Sequence, residues 1–200
     1  MNLLAPGIHE WSVFNDEKGL DFNGHLVLHD QGNVLIDPPA LAPGQVQAIE
    51  QLGRPAAILI TNAHHTRDAS AAAALWRIPV LISQLDFEAA PAAARPGGTF
   101  RDGERLPGGL VALALSGQKT AGETALLCPR SNAIILGDAL LGKPAGRLSM
   151  LPDAKYADPA AARRGLERLL QHPFDAVLVG DGASIPRGGR RAVVEFLSGV

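Results

Sequence analysis

At 200 residues, with 46% hydrophobic and 19% charged, the chain is expected to form one packed domain, 1–200, and not a disordered segment. Its 18 basic and 20 acidic residues leave a formal charge of −2, which gives no electrostatic case for nucleic acid. No apolar run approaches the ~20 residues that span a bilayer, the opening MNLLAPGIHEW lacks the blocks of a signal peptide, and the lone Cys128 excludes an internal disulfide or a multi-thiolate zinc site. A cytoplasmic protein with neither nucleic-acid nor membrane partners is the expectation.

In chain order, HEWSVFN and then FNGHLVLHDQGNVLID predict β-strands, with Phe22, His25 and Val27 before the turn DQGN and Val34 to Ile36 after it. Asp37-Pro38-Pro39 stops the strand, because proline offers no ladder donor. Val46, Ile49 and Leu52 mark a short amphipathic helix ending at Gly53. The strand AAILIT follows, then a helix with Ala69, Ala72, Ala73 and Trp76 on one face, then the strand IPVLIS.

GERLPGGLVALALSG and TALLCPRSNAIILGD read as strand pairs turning at PGG and PRSN. An irregular stretch rich in Gly and Pro runs from Asp138 to about Tyr156. Asp158 then caps a helix with Pro159 at its first position and Ala162, Leu166, Leu169 and Leu170 as its buried stripe. DAVLVGDG is a last core strand, and Val193, Phe196 and Leu197 face a closing helix. Two sheets flanked by helices use every element.

Polar and charged residues gather at strand ends, where a rigid scaffold holds its site. The segments are TNAHHTR (61–67), SGQKTAGETAL (116–126), ILGDAL (135–140) and LVGDG (178–182). In this order they resemble the motifs of the metallo-β-lactamase superfamily: Thr-His-x-His-x-Asp-His, a Gly-His turn, Gly-Asp after a strand, and Gly-His-Gly after another. The resemblance covers nearly the whole chain. It implies an α+β fold, the four-layer αββα sandwich of that family, and a two-zinc hydrolase site.

Laid onto those motifs, only His64 and Asp138 match ligand positions. Asn62, Gln118 and Asp181 stand where histidines are expected, Thr66 where an aspartate is, and Arg67 where the first motif ends in histidine. Zinc takes imidazole, carboxylate or thiolate donors. Asn62 and Gln118 offer only neutral carbonyl oxygens, and a guanidinium has no lone pair and repels a cation. Two carboxylates meeting without a cation would force one to take up a proton. Arg67 is therefore expected to bridge Asp138 and Asp181 where zinc once lay, with Asn62, Gln118 and His64 completing the hydrogen bonds.

The expected cavity comprises Asn62, His64, His65, Arg67, Gln118, Lys119, Asp138 and Asp181, with Asp138, Asp181 and Arg67 the candidate catalytic groups. His65 reads as the start of the following helix, Asp37 and Cys128 as structural, and His25 and His29 as ordinary strand residues. Two functional expectations follow. One is a non-catalytic descendant needing no cofactor, a small-ligand-binding or protein-interaction module whose cavity can still take an anion through Arg67 and Lys119. The other is a hydrolase of an ester, thioester or lactam with one divalent ion, zinc or similar, on His64, Asp138 and Asp181.

Overall fold

The computed structural model describes residues 1–94 and 96–199. One sheet has seven strands in sequential order: β1 (Asn2–Ala5), β2 (Ile8–Asn15), β3 (Leu20–Val27), β4 (Asn33–Ile36), β5 (Pro55–Ile60), β6 (Val80–Ser83) and β7 (Gly98–Phe100). Strands β1 to β4 pair antiparallel and β4 to β7 parallel. The second sheet has five, β8 (Arg105–Leu106), β9 (Leu110–Ala114), β10 (Thr124–Cys128), β11 (Ala133–Leu136) and β12 (Ala176–Val179), of which only β11 and β12 run parallel.

Alternation along the apolar strands sorts their side chains into three cores. Val34, Ile36, Leu59, Leu126, Ile135 and Leu178 meet between the sheets. Their neighbours Leu35, Ile58 and Ile60 turn outward, under α1 (Pro43–Leu52) and α2 (Ala69–Trp76), where Ile49, Ala72 and Trp76 cover them. On the opposite side Ile134, Leu136, Val177 and Val179 pack under Leu166, Leu169 and Val193. Leu166 and Leu169 come from the 3-10 continuation, Leu166–Gln171, of α3 (Pro159–Gly165), and Val193 comes from α4 (Gly189–Ser198). The architecture is the expected αββα sandwich.

Local signals behave as read. β4 ends at Ile36, before the two prolines. The Asp158 side chain accepts a hydrogen bond from the Ala161 amide at the start of α3. Outside the reading lie the edge strands β1 and β7, too short for periodicity to mark.

The sheets converge at the end that carries the motif loops. β3 is stitched to the turn after β12: the Asn23 amide donates to Gly180 O at 2.7 Å, and its side-chain amide donates to Val179 O and Gly182 O at 2.8 and 2.7 Å. The Gly142 amide donates to Asp181 O at 3.0 Å, and Gly142 O accepts from the Ala183 amide at 2.8 Å, so the strand-like bridge at Gly142 and Gly182 fixes the other flank of that turn. A Cβ at Gly142 would fall 2.0 Å from the backbone oxygen of Ala183. Gly142→Ala should therefore cost about 1–3 kcal/mol, the range for overpacking a site that cannot yield. Chemical denaturation measures this, and a cost below about 0.5 kcal/mol, ordinary for a free surface position, would show that the turn is not held as described.

Candidate functional site

Arg67 lies just beyond β5, with φ 35°, a left-handed conformation that few side chains adopt. That turn aims the guanidinium back between the sheets, where it stacks 4.7 Å above the Phe22 ring. Nη1 donates to Asn23 O at 2.6 Å and Asp37 O at 3.3 Å. Nη2 donates to Gly180 O at 3.0 Å and to Asp181 Oδ1 in a close ion pair. Arg67 thus meets Asp181 as expected. It does not bridge to Asp138.

Asp138 follows β11 and is held instead by Lys119, whose ammonium lies 2.7 Å from Oδ2, and by His65, whose Nε2 is 3.5 Å from Oδ1. Burial alone would raise the Asp138 carboxyl, but hydrogen bonds and charge from His65 and Lys119 hold it well below the usual carboxylate range. At Asp181 burial wins over the neighbouring cations and the shift is upward.

His65 is the main revision. It does not begin a helix that faces elsewhere; it is buried, with Nδ1 2.8 Å from Asp37 Oδ2. The same Asp37 carboxylate accepts from the Thr61 amide and hydroxyl at 2.9 and 2.5 Å. Burial and the Arg67 charge push the His65 imidazole down. The Asp37 charge and the hydrogen bonds that the ring donates to Asp138 and Asp37 outweigh them and push its pKa up to about 10. Gly180 makes room for the ring, since a Cβ there would sit 2.5 Å from its Cε1.

Other expected members fall differently. His64, expected as the ligand histidine, is exposed at the cavity rim, and its pKa is lowered by partial burial and then by Lys119. Asn62 is buried and uses its side-chain oxygen to accept from the His64 amide at 2.8 Å. Gln118 donates to Ala162 O at 2.8 Å, toward α3. Neither amide lines the cavity of about 650 Å³ that exposes His64, His65, Arg67, Lys119, Asp138 and Asp181.

Asp86, past the end of β6, escaped the reading of the sequence although it joins the first two motif loops. Its carboxylate accepts from the Ala63 amide at 2.8 Å, the Gly122 amide at 2.7 Å and the Thr120 hydroxyl at 2.7 Å. The signal available was an acidic residue three positions past the end of a buried strand. Glu123 is fully buried below the cavity; burial and then the Asp138 charge raise its carboxyl well above the usual range.

Three side chains, His65, Asp138 and Asp181, bring one ligand atom each within 4.8 Å of one another. The donor set fits one divalent ion. Two ligands about 2.1 Å from a tetrahedral ion lie about 3.4 Å apart, close to the 3.5 Å between His65 Nε2 and Asp138 Oδ1. Asp37 on Nδ1 leaves Nε2 as the nitrogen that would be free to hold an ion, and such a carboxylate is the usual support of a metal-ligating histidine. Charge points the same way. Asp37, Asp138 and Asp181 are balanced by Arg67, Lys119 and a protonated His65. One divalent ion with neutral His65 and a displaced Lys119 keeps that balance, whereas two would leave a large excess of positive charge beside Arg67.

The family model of the metallo-beta-lactamase superfamily matches residues 1–200, and the chain belongs to that superfamily. Among solved structures it is similar to TTHA1623 in a di-iron-bound form, with 28% identity, 91% of this chain and 96% of that chain covered and a TM-score of 0.70. It shares the fold of a metallo-beta-lactamase from Pontibacter korlensis, at 19% identity, 96% and 92% coverage and TM-score 0.72. The same holds for FIM-1 from Pseudomonas aeruginosa in its mono-zinc form, at 16% identity, 97% and 92% coverage and TM-score 0.73. No curated protein matches. The expectation that no cofactor is involved is corrected here: similar structures carry iron or zinc, and the chain assembles a His-Asp-Asp group suited to a metal. Among the described residues no helix is long and apolar enough to cross a membrane.

Removing the guanidinium would strand the Asp181 carboxylate and three carbonyls from separate segments. Arg67→Ala should cost about 3–5 kcal/mol in denaturation, the range for breaking a buried pair. Arg67→Lys should recover little of it, since one ammonium cannot reach four acceptors across a planar fork. A lysine variant as stable as the parent would refute the clamp.

Proposed function

We propose that the protein is a hydrolase with one divalent ion on His65, Asp138 and Asp181, Arg67 taking the place of a second ion. The observation that carries this reading is the placement of His65, anchored by Asp37 through Nδ1 with Nε2 turned to Asp138 beside Asp181. Zinc or iron(II) suits such a mixed nitrogen and oxygen set.

When bound, the ion supplies Lewis-acid polarisation of a carbonyl and water of lowered pKa. The chain's own residues supply the rest. Asp37 orients His65 and holds the proton on Nδ1. Arg67 spends its donors on Asp181 and the three carbonyls, so it keeps one carboxylate oriented and the sheet ends together rather than meeting substrate. Lys119, half-buried, turns its ammonium toward the cavity, where it can stabilise negative charge developing on a carbonyl oxygen. His64 stands at the rim within reach of solvent as a candidate proton carrier. A small ester, thioester or lactam fits this chemistry.

One observation favours a second reading, a small-molecule-binding protein without turnover. Lys119 occupies the second oxygen of the Asp138 carboxylate and has to move aside for substrate and ion to share the cavity. Turnover separates the two readings. Metal-loaded protein should hydrolyse a chromogenic ester or thioester faster than stripped protein, and binding without metal-stimulated turnover would select the second.

Metal counting tests the site. After zinc loading and removal of excess, elemental analysis should find one ion per chain. His65→Ala should lose it and His64→Ala retain it. Two ions per chain, or an ion kept by His65→Ala and lost from His64→Ala, would overturn the assignment.

A further inference from the structure

The whole chain contains four lysines, Lys18, Lys119, Lys143 and Lys155, among 18 basic residues. All four line the one cavity above the candidate metal group, although they come from the β2–β3 turn, the second motif loop and the irregular segment after β11. Every other basic residue is arginine. Lys119 is engaged by Asp138. Lys18, Lys143 and Lys155 are exposed at the mouth and, among the described residues, none lies in an ion pair.

The chain as a whole carries a formal charge of −2, yet this cavity, His65 aside, sets five cations, the lysines and Arg67, against two carboxylates, Asp138 and Asp181. A concave wall with one sign of charge raises the local concentration of opposite charge. Between the lysines the wall is apolar, formed by Leu20, Phe22, Leu141, Met150, Leu151 and Pro152.

We propose that the cavity binds a phosphorylated small molecule with an apolar portion, its phosphate held by Lys18, Lys143 and Lys155 and its apolar part directed toward the inner wall. Separate ammonium groups on flexible stems act as point charges that can meet one compact anion from several directions, and a dianionic phosphate offers them more charge and more acceptor oxygens than a carboxylate does. Lys143 Nζ donates to Gly19 O at 3.1 Å, which sets it beside the turn that carries Lys18, and three lysines from two segments on one cavity wall favour one compact anion over an extended surface. The inference names a substrate class for the proposed hydrolase and rests on that reading for its catalytic meaning. The binding itself does not require the ion.

Calorimetric titration of metal-stripped protein with n-hexyl phosphate tests it, with inorganic phosphate, n-hexanol and anionic phospholipid vesicles as comparison arms. Hexyl phosphate should bind saturably at one site per chain, more tightly than phosphate alone, while hexanol should not bind. Its affinity should fall about tenfold or more between about 0.05 M and 0.5 M salt, and by a similar factor in the variant K18Q/K143Q/K155Q. These positions are exposed, so the variant should melt at the parent's temperature, which separates lost binding from lost folding. No saturable binding, equal affinity in the triple variant, equal affinity for hexanol, or capture by vesicles alone would overturn the proposal. Normal one-ion loading alongside such a failure would leave the hydrolase reading standing. Hexyl phosphate binding by a protein that takes up no ion would support the anion site and reject the hydrolase.

Discussion

The site depends on a guanidinium that must be satisfied in a place almost closed to water. Arg67 reaches three backbone carbonyls and one carboxylate, and these belong to β3, the end of β4 and the turn after β12. An unpaired charge there would be costly, so the acceptors have to be brought together for the chain to fold. The left-handed backbone at Arg67 is tolerated because the clamp it permits returns more than that strain removes. Asn23, bonded by backbone and side chain to the same turn, closes the seam from the other side.

That clamp sets the chemistry open to the cavity. In the proposed reading it stands in for a second ion; in the structure it pins one oxygen of Asp181. The adjoining His65 and Asp138 escape it, because Asp37 takes the far nitrogen of the imidazole and Asp138 turns toward Lys119. The single ion proposed above asks nothing new of the scaffold, since αββα packing rests on apolar alternation in strands that an exchange of ligands does not touch. Asp86 and Asp37 matter here as carboxylates spent on backbone amides, which hold the motif loops whatever occupies the cavity.

Fold class, most elements and the four loop segments could be read directly from the chain. Apolar runs such as AAILIT and NAIILGD, stopped by prolines or turns, bury both faces of a strand, and that pattern survives any arrangement of neighbours. The pairing of Arg67 with Asp181 followed from the resemblance, which lays both on aligned ligand positions, whereas the expected bridge on to Asp138 did not form because Lys119 holds that carboxylate. Local order also supports the Asp158 cap, whose bond to Ala161 spans three residues.

What only the tertiary structure decided is which of two adjacent histidines turns inward and what meets it. In TNAHHTR the two imidazoles are one residue apart, and nothing in their order tells which one Asp37, twenty-eight residues away from His65, will hold. The same limit hid the meeting of four scattered lysines at one cavity mouth, since each lies in a loop whose neighbours are set by how the sheets converge. Periodicity reports which face of an element is buried. The partners of a charged group at a strand end depend on the three-dimensional closure of the loops.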